Sequence, residues 1–265
     1  MRNLRRAKIS SPKRARRPLA ERSEPKSPRL ENKHELKTES KAPARIFLVD
    51  NYPTFGDGIE QAIAQSKTLQ VIGRVSNAEE AFKSQEITSA DLVLVDIDLP
   101  DQSGLEVCQR LLQAVPTMSV LLISYNDWDI YLLAAQAVHS KGLLLRSQPT
   151  IDLIVAVEKA MSGSVFSEGQ IDRIQVWRDT TGLKLRSLGK REWQVLQLIA
   201  LGQSNREIGK VLELTRNTVE KHVSNILQKL GLDSRAMIMV FIYTNHLDQL
   251  SRLPHGDRFL MLLMN

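Results

Sequence analysis

The sequence predicts an α/β domain, a doubly wound five-stranded parallel sheet, followed by an all-α domain of four helices, behind a basic N-terminal extension that stays disordered. Three observations carry this. Short apolar runs alternate with amphipathic stretches from residue 45 to 160, the pattern becomes entirely helical from 185, and the first 44 residues show almost no aliphatic periodicity. Charge divides the chain in the same way. Residues 1–44 hold 14 Lys/Arg against 5 Asp/Glu, residues 45–160 hold 8 against 15, and residues 184–246 hold 10 against 5. An acidic middle beside a basic C-terminal unit suggests different partners, with phosphate backbones for the basic one.

The extension, 1–44, is rich in Arg, Lys, Ser and Pro. It buries too little apolar surface to offset the entropy of ordering. Its KRARR cluster (13–17) either adds salt-sensitive DNA affinity or belongs to a solubilising tail. An Arg-rich, acid-poor start is also a feature of organellar transit peptides, but no clear amphipathic pattern accompanies it here.

In the acidic middle, 45–162, the predicted strands are RIFLV (45–49), LQVIGRV (69–75), DLVLVD (91–96), SVLLIS (119–124) and KGLLLR (141–146). Helical stretches FGDGIEQAIAQS, NAEEAFKSQ, LEVCQRLLQAV and DIYLLAAQAV lie between them, and TIDLIVAVEKAM follows with Thr150 as its expected N-cap. Strands this continuously apolar, alternating with helices, call for a parallel sheet covered on both faces. Acidic residues at the carboxyl edge of such a sheet mark a site where ligands and metals collect.

Residues 163–184, with SGS nearby and SEGQ and TTG within, read as a linker with room for a short helix. Four helical segments follow over 185–247: KREWQVLQLIALG, SNREIGKVLEL, TRNTVEKHVSNILQKLG and SRAMIMVFIYTNHL. Ser204 with Glu207 makes a capping box, Thr215 caps the third segment, and Gly202 and Gly231 stop the first and third. In the third, Val219, Val223, Ile226, Leu227 and Leu230 form a buried stripe, opposite Arg216, Glu220, Lys221, Ser224 and Gln228. A helix packed on one side and polar on the other is what the major groove requires of a recognition helix, although a small bundle with a solvated face has the same spacing.

At 265 residues the chain has room for two domains, and its 42% hydrophobic content is that of a globular protein. MIMVFIY and the FLMLLM of the 248–265 tail are too short to span a bilayer. One cysteine, Cys108, excludes an internal disulfide and fits a reducing cytoplasm.

LGKREWQVLQLIALGQSNREIGKVLELTRNTVEKHVSNILQKLGLDSRA resembles the LuxR-type helix-turn-helix of the NarL/FixJ response regulators along its whole length. Arg191-Glu192, Val195-Leu196, Gly202, Ser204-Asn205, Glu207-Ile208, Thr218-Val219, His222-Val223, Lys229-Leu230 and Ser234-Arg235-Ala236 are in register. The resemblance implies double-stranded DNA as partner and a homodimer formed through the last helix, roughly 234–246. Lys221 and Ser224 would face base edges, and Thr218, His222 and Lys229 would meet phosphates, with Arg216 and Asn217 beside them. Glu220 either accepts from cytosine N4 or makes local contacts on the helix. Gly209 stands where the family usually has Ala, a modest helix cost.

DLVLVDIDLPDQSGLEV resembles the receiver domain of the same regulators, a fold shared with CheY. Asp96 matches the phosphoacceptor, with Pro100 and Gly104 at the family's spacing, Ser124 matches the hydroxyl of the fourth strand, and Asp50 matches the first of the paired acids. Asp98 lies at the same edge. Three positions depart. Asn51 replaces the second acid that ligates Mg²⁺, Arg146 replaces the fifth-strand lysine, and Leu143 stands at the switch aromatic. Tyr125 is bulky where a small residue leaves the pocket open. An amide oxygen carries no charge, so a Mg²⁺ held by Asp50, Asn51 and Asp96 would bind weakly or not at all. Arg keeps the positive charge but not the compact shape of an ammonium, and it could form an ion pair with Asp96 or Asp50.

The function implied is a sequence-specific DNA-binding transcriptional regulator of the two-component type, not an enzyme and with no required cofactor. Its receiver is expected to be atypical, with phosphorylation at Asp96 weak or absent, and is a second candidate contact in the dimer. The alternative is a conventional regulator switched by a sensor histidine kinase through Asp96. Asp96-Ile97-Asp98 also superficially resembles aspartyl-phosphate phosphatases, but KGLLLRSQ lacks the later acidic pair they need. Small-molecule binding at the sheet edge is a further alternative.

Overall fold

The computed structural model describes residues 42–252, so the expectations for 1–41 and for FLMLLM lie outside the described residues. Five parallel strands, β1 (Ala44–Val49), β2 (Leu69–Val75), β3 (Leu92–Asp96), β4 (Ser119–Ser124) and β5 (Gly142–Leu145), form one sheet in the order β2-β1-β3-β4-β5. The order reverses between β1 and β3, where a doubly wound sheet opens its crevice. Val49 pairs with Val95 there, so Asp50 and Asp96 leave the sheet side by side.

Strand residues alternate between two apolar layers. Ile46, Leu48, Leu92, Leu94, Leu121 and Ile123 pack under α1 (Pro53–Ile63) and α5 (Thr150–Ala160). Phe47, Val49, Val93, Val95, Val120 and Leu122 face the other way, toward α2 (Ala78–Lys83), α3 (Gly104–Ala114) and α4 (Asp129–Ala137). Pro53 opens α1, where a missing N–H costs nothing. Pro149, not Thr150, is the N-cap of α5: Thr150 already lies inside the helix, and no side chain caps it.

The predicted linker is largely helical. α6 (Glu168–Trp177), a π-turn at Arg178–Gly182 and α7 (Leu183–Arg186) run on without a break. Ser167 and Gln170 close a capping box at the start, and Ile174, Trp177 and Leu185 are buried in the layer that also holds α4. Arg173 bonds Asp129 Oδ1 at 2.8 Å and Asp127 Oδ1 at 2.7 Å, while Gln170 donates to the Leu143 carbonyl at 3.0 Å. Four further helices follow: α8 (Lys190–Ala200), α9 (Asn205–Leu212), α10 (Arg216–Leu230) and α11 (Arg235–Thr244). They close around Val195, Leu196, Ile199, Ile208, Val219, Ile226, Ile238 and Ile242.

Candidate phosphoacceptor pocket and nucleic-acid interface

Asp50 and Asp96 end their strands at the crevice, Ser124 ends β4, and Arg146 follows β5. The structure brings these four together. Arg146 Nη2 lies 2.6 Å from Asp50 Oδ1 and 2.7 Å from Asp96 Oδ2, with all three side chains under 5% exposed. The Asp50 contact is a directed hydrogen bond, and Asp96 is held as an ion contact. Arg146 therefore pairs with both acids, not with one.

Aromatic rings enclose that guanidinium. Its carbon lies 4.3 Å from the Phe55 ring centroid, 4.4 Å from Tyr52 and 5.2 Å from Tyr125. The two tyrosines meet edge to face at 5.4 Å. Tyr125 thus contributes a wall rather than merely blocking a mouth, and neither Tyr52 nor Phe55 was expected at the site. Arg74 on β2 fastens the loop below by donating to the carbonyls of Tyr52 and Pro53, at 3.2 and 2.9 Å.

The other predicted groups have local partners. The Asp98 amide donates to Asp96 Oδ1 at 3.0 Å, and the buried Tyr131 hydroxyl donates to Asp98 Oδ1 at 3.3 Å. Ser124 Oγ accepts the Asn126 amide at 3.0 Å. Gly104 packs so tightly that a Cβ there would fall 1.9 Å from the Asp96 carbonyl oxygen, which is the physical reason for glycine at that spacing. Burial pushes the Asp96 carboxyl up to about 6, against the pull of Arg146 and the Asp98 amide. Burial works against the Arg146 charge too, but the bond to Asp50 and the field of both acids hold its pKa above the ordinary value.

This donor set fits a divalent ion poorly. A cationic side chain already spans the two carboxylates, and the third position offers only the Asn51 amide oxygen, buried without a hydrogen-bond partner. Among the described residues no three His, Cys, Asp or Glu side chains converge on a metal position.

On α10, Val219, Val223, Ile226 and Leu230 are buried and Leu227 is half-buried. Arg216, Asn217, Glu220, Lys221 and Ser224 are exposed together, as a groove-reading face requires. Thr218 and His222 are half-buried, and Thr218 Oγ1 lies 2.8 Å from the Thr215 hydroxyl. Glu220 takes its local alternative, accepting from Arg216 Nε at 2.8 Å. Lys229, the expected phosphate contact, has a partner within the protein: its Nζ is 2.7 Å from Glu192 Oε2, and that carboxylate also accepts the Gly189 amide. These contacts hold the Glu192 carboxyl below the ordinary range despite its burial. Glu192 was legible only as a family match, yet Gly189 and Glu192 have capping-box spacing. Gly209 is more than a helix cost, because a Cβ there would lie 2.7 Å from the Leu214 carbonyl oxygen in the turn leading to α10.

Residues 186–242 match the family model of bacterial regulatory proteins of the luxR family, and residues 46–158 match the response regulator receiver domain. The nitrate/nitrite response regulator protein NarL of Escherichia coli K12 is 30% identical over 206 residues, which cover 76% of this chain and 95% of NarL. The transcriptional regulatory protein DegU of Brevibacillus brevis is 29% identical, over 74% of this chain and 91% of its own. A structure of RcsB from Salmonella enterica serovar Typhimurium, bound to a promoter in the presence of the phosphomimetic BeF3⁻, aligns with a TM-score of 0.57 at 20% identity. It covers 75% of this chain and 97% of that one, a likeness of fold. The chain therefore belongs to the NarL/FixJ family of response regulators, DNA-binding regulators of transcription in which a receiver domain is joined to a LuxR-type helix-turn-helix.

Proposed function

We propose that this regulator carries an atypical receiver, in which Arg146 balances the charge of Asp50 and Asp96 and Mg²⁺-dependent phosphorylation of Asp96 is weak or absent. The observation that carries the reading is the single guanidinium nitrogen within 2.7 Å of both acids. A divalent ion would have to displace a buried, hydrogen-bonded cation and take an uncharged amide as ligand. Input then comes from abundance, a protein partner or a ligand, and no sensor kinase is required.

The output is operator binding in the cytoplasm by a homodimer. Met237, Val240 and Tyr243, spaced three apart on α11, are exposed, an apolar stripe suited to a second copy at that helix. No helix among the described residues is long and apolar enough to cross a membrane. The chain is read as non-catalytic: after β5 come Arg146, Ser147 and Gln148, where a phosphatase of this type needs acids.

Calorimetric titration of the full chain with Mg²⁺ and beryllofluoride tests the receiver. No saturable heat is expected, and gain of binding in the Asn51→Asp/Arg146→Lys double variant would trace the loss to those residues. Saturable Mg²⁺-dependent binding by the native chain, abolished in Asp96→Ala, would restore the conventional reading.

A further inference from the structure

α10 contains one acidic residue, Glu220, on the face that approaches DNA. A free carboxylate there repels phosphates and weakens binding to every sequence alike. It is not free. Glu220 Oε1 lies 2.8 Å from Nε of Arg216, one helical turn earlier, with the two side chains 45% and 75% exposed. Arg216 is the first residue of α10, behind the Thr215 cap, whose hydroxyl accepts the Thr218 amide at 3.2 Å. The first turn of a recognition helix is where base edges are reached.

The chemistry of the pair is directional. The carboxylate engages the guanidinium through Nε, which leaves the Nη1/Nη2 edge for another acceptor. Two parallel donors on a fixed plane match guanine O6 and N7, the commonest specific contact in the major groove. Tethering the plane lowers the rotamer entropy lost on binding and keeps the guanidinium from wandering to a phosphate. Arg216 and Lys221 are the cations left on this face, since Lys229 is paired with Glu192.

We propose that Arg216 reads a guanine in each operator half-site and that Glu220 is a positioning residue that holds it to that base. The inference rests on the DNA-binding reading of α10 and adds the base and the residue that selects it.

Selection of bound sequences from a random duplex pool by the full chain, followed by titration of the selected site with single base pairs changed, tests this. A fixed G·C column is expected in each half-site, and changing it should cost roughly ten- to a hundredfold in affinity. Arg216→Ala should flatten that column alone. Glu220→Gln should also weaken the preference while raising affinity for unrelated DNA, with a salt slope steeper by about one as Arg216 turns to phosphate. Glu220→Asp should restore part of the preference. The double variant Arg216→Ala/Glu220→Gln should be no flatter than Arg216→Ala in that column. Unchanged melting temperatures, with the Thr215 cap untouched, show that α10 is intact. If Glu220→Gln only strengthens binding and leaves the base preference as it was, the positioning role is overturned. A selected site without the column, or one indifferent to Arg216, overturns the guanine assignment. Failure of the native chain to enrich any sequence overturns the DNA-binding reading itself, and this inference with it.

Discussion

Trp128 and His246 stack, their ring centroids 4.3 Å apart and their planes 13° from parallel. Trp128 is the residue before α4, four positions after Ser124, and His246 lies beyond α11 at a φ of 53°. The pair joins the loop that follows Ser124 and carries Tyr125 to the exit of the DNA-binding domain. Thr181 and Asn245 add a hydrogen bond of 2.8 Å nearby. Trp128→Ala should loosen the two domains, with faster proteolysis between 163 and 189 and a loss of about 1–2 kcal/mol in chemical denaturation. Cleavage at the native rate would show that Arg173 and Gln170 suffice to hold the connector.

Asp96 gives a pH dependence of defined sign. Its folded value, about 6, lies above the ordinary 3.8, chiefly through burial and against the pull of Arg146. The folded state thus holds the proton more tightly than the unfolded one, so this contribution is fullest below 3.8 and is lost as pH rises through 6. Asp96→Asn should therefore stabilise the protein by on the order of 1–3 kcal/mol at pH 8, with the gain fading below pH 4. Urea unfolding at pH 4, 6 and 8 measures it.

Arg146→Ala leaves two carboxylates buried next to each other. The expected loss is about 3–5 kcal/mol at neutral pH, partly recovered by adding Asp50→Asn. Equal losses in the single and double variants would mean that the aromatic packing around the guanidinium, not charge balance, holds the site.

Glu213, at the end of α9, has a φ of 57°, a left-handed conformation that glycine adopts without strain. Glu213→Gly should raise stability by about 0.5–1 kcal/mol. Gly209→Ala should lower it despite the better helix propensity of alanine, because the Leu214 carbonyl blocks the Cβ. Thermal melts of both variants distinguish backbone strain from propensity.

Lys229→Met removes the partner of a buried carboxylate. A loss of about 1–3 kcal/mol at pH 7 is expected. It should shrink as pH falls, since the Glu192 carboxyl is depressed and its contribution, complete above the unfolded value, disappears on protonation. The salt slope of DNA binding should stay as in the native chain. A slope shallower by about one would return Lys229 to the phosphates.

The sheet and its strand ends were legible because buried parallel strands are apolar on both faces and so stand out as runs; Asp50 stood out at the end of the first, while Asp96, Ser124 and Arg146 were singled out by the resemblance to receiver domains. The rings around Arg146 were not. Tyr52 and Phe55 flank a helix start, where no periodicity marks a direction, and Tyr125 read only as bulk. The connector was hidden by its polar composition, although Ser167 and Gln170 stand at capping-box spacing and Ile174 and Trp177 lie one turn apart. Lys229 was placed by the family resemblance, which carries no information about its pairing with Glu192, 37 residues earlier.

Arg146 differs from a metal ion in one further respect: it is covalently part of the chain. A dissolved ion occupies a site according to its concentration, whereas a cation carried by the residue after β5 faces Asp50 and Asp96 at an effective concentration set by the fold. If the receiver works as proposed, chelators would not strip such a pocket, and shifts in cellular magnesium would not reach it. Its cation is supplied once, when the chain folds, and every copy carries it for as long as it remains folded.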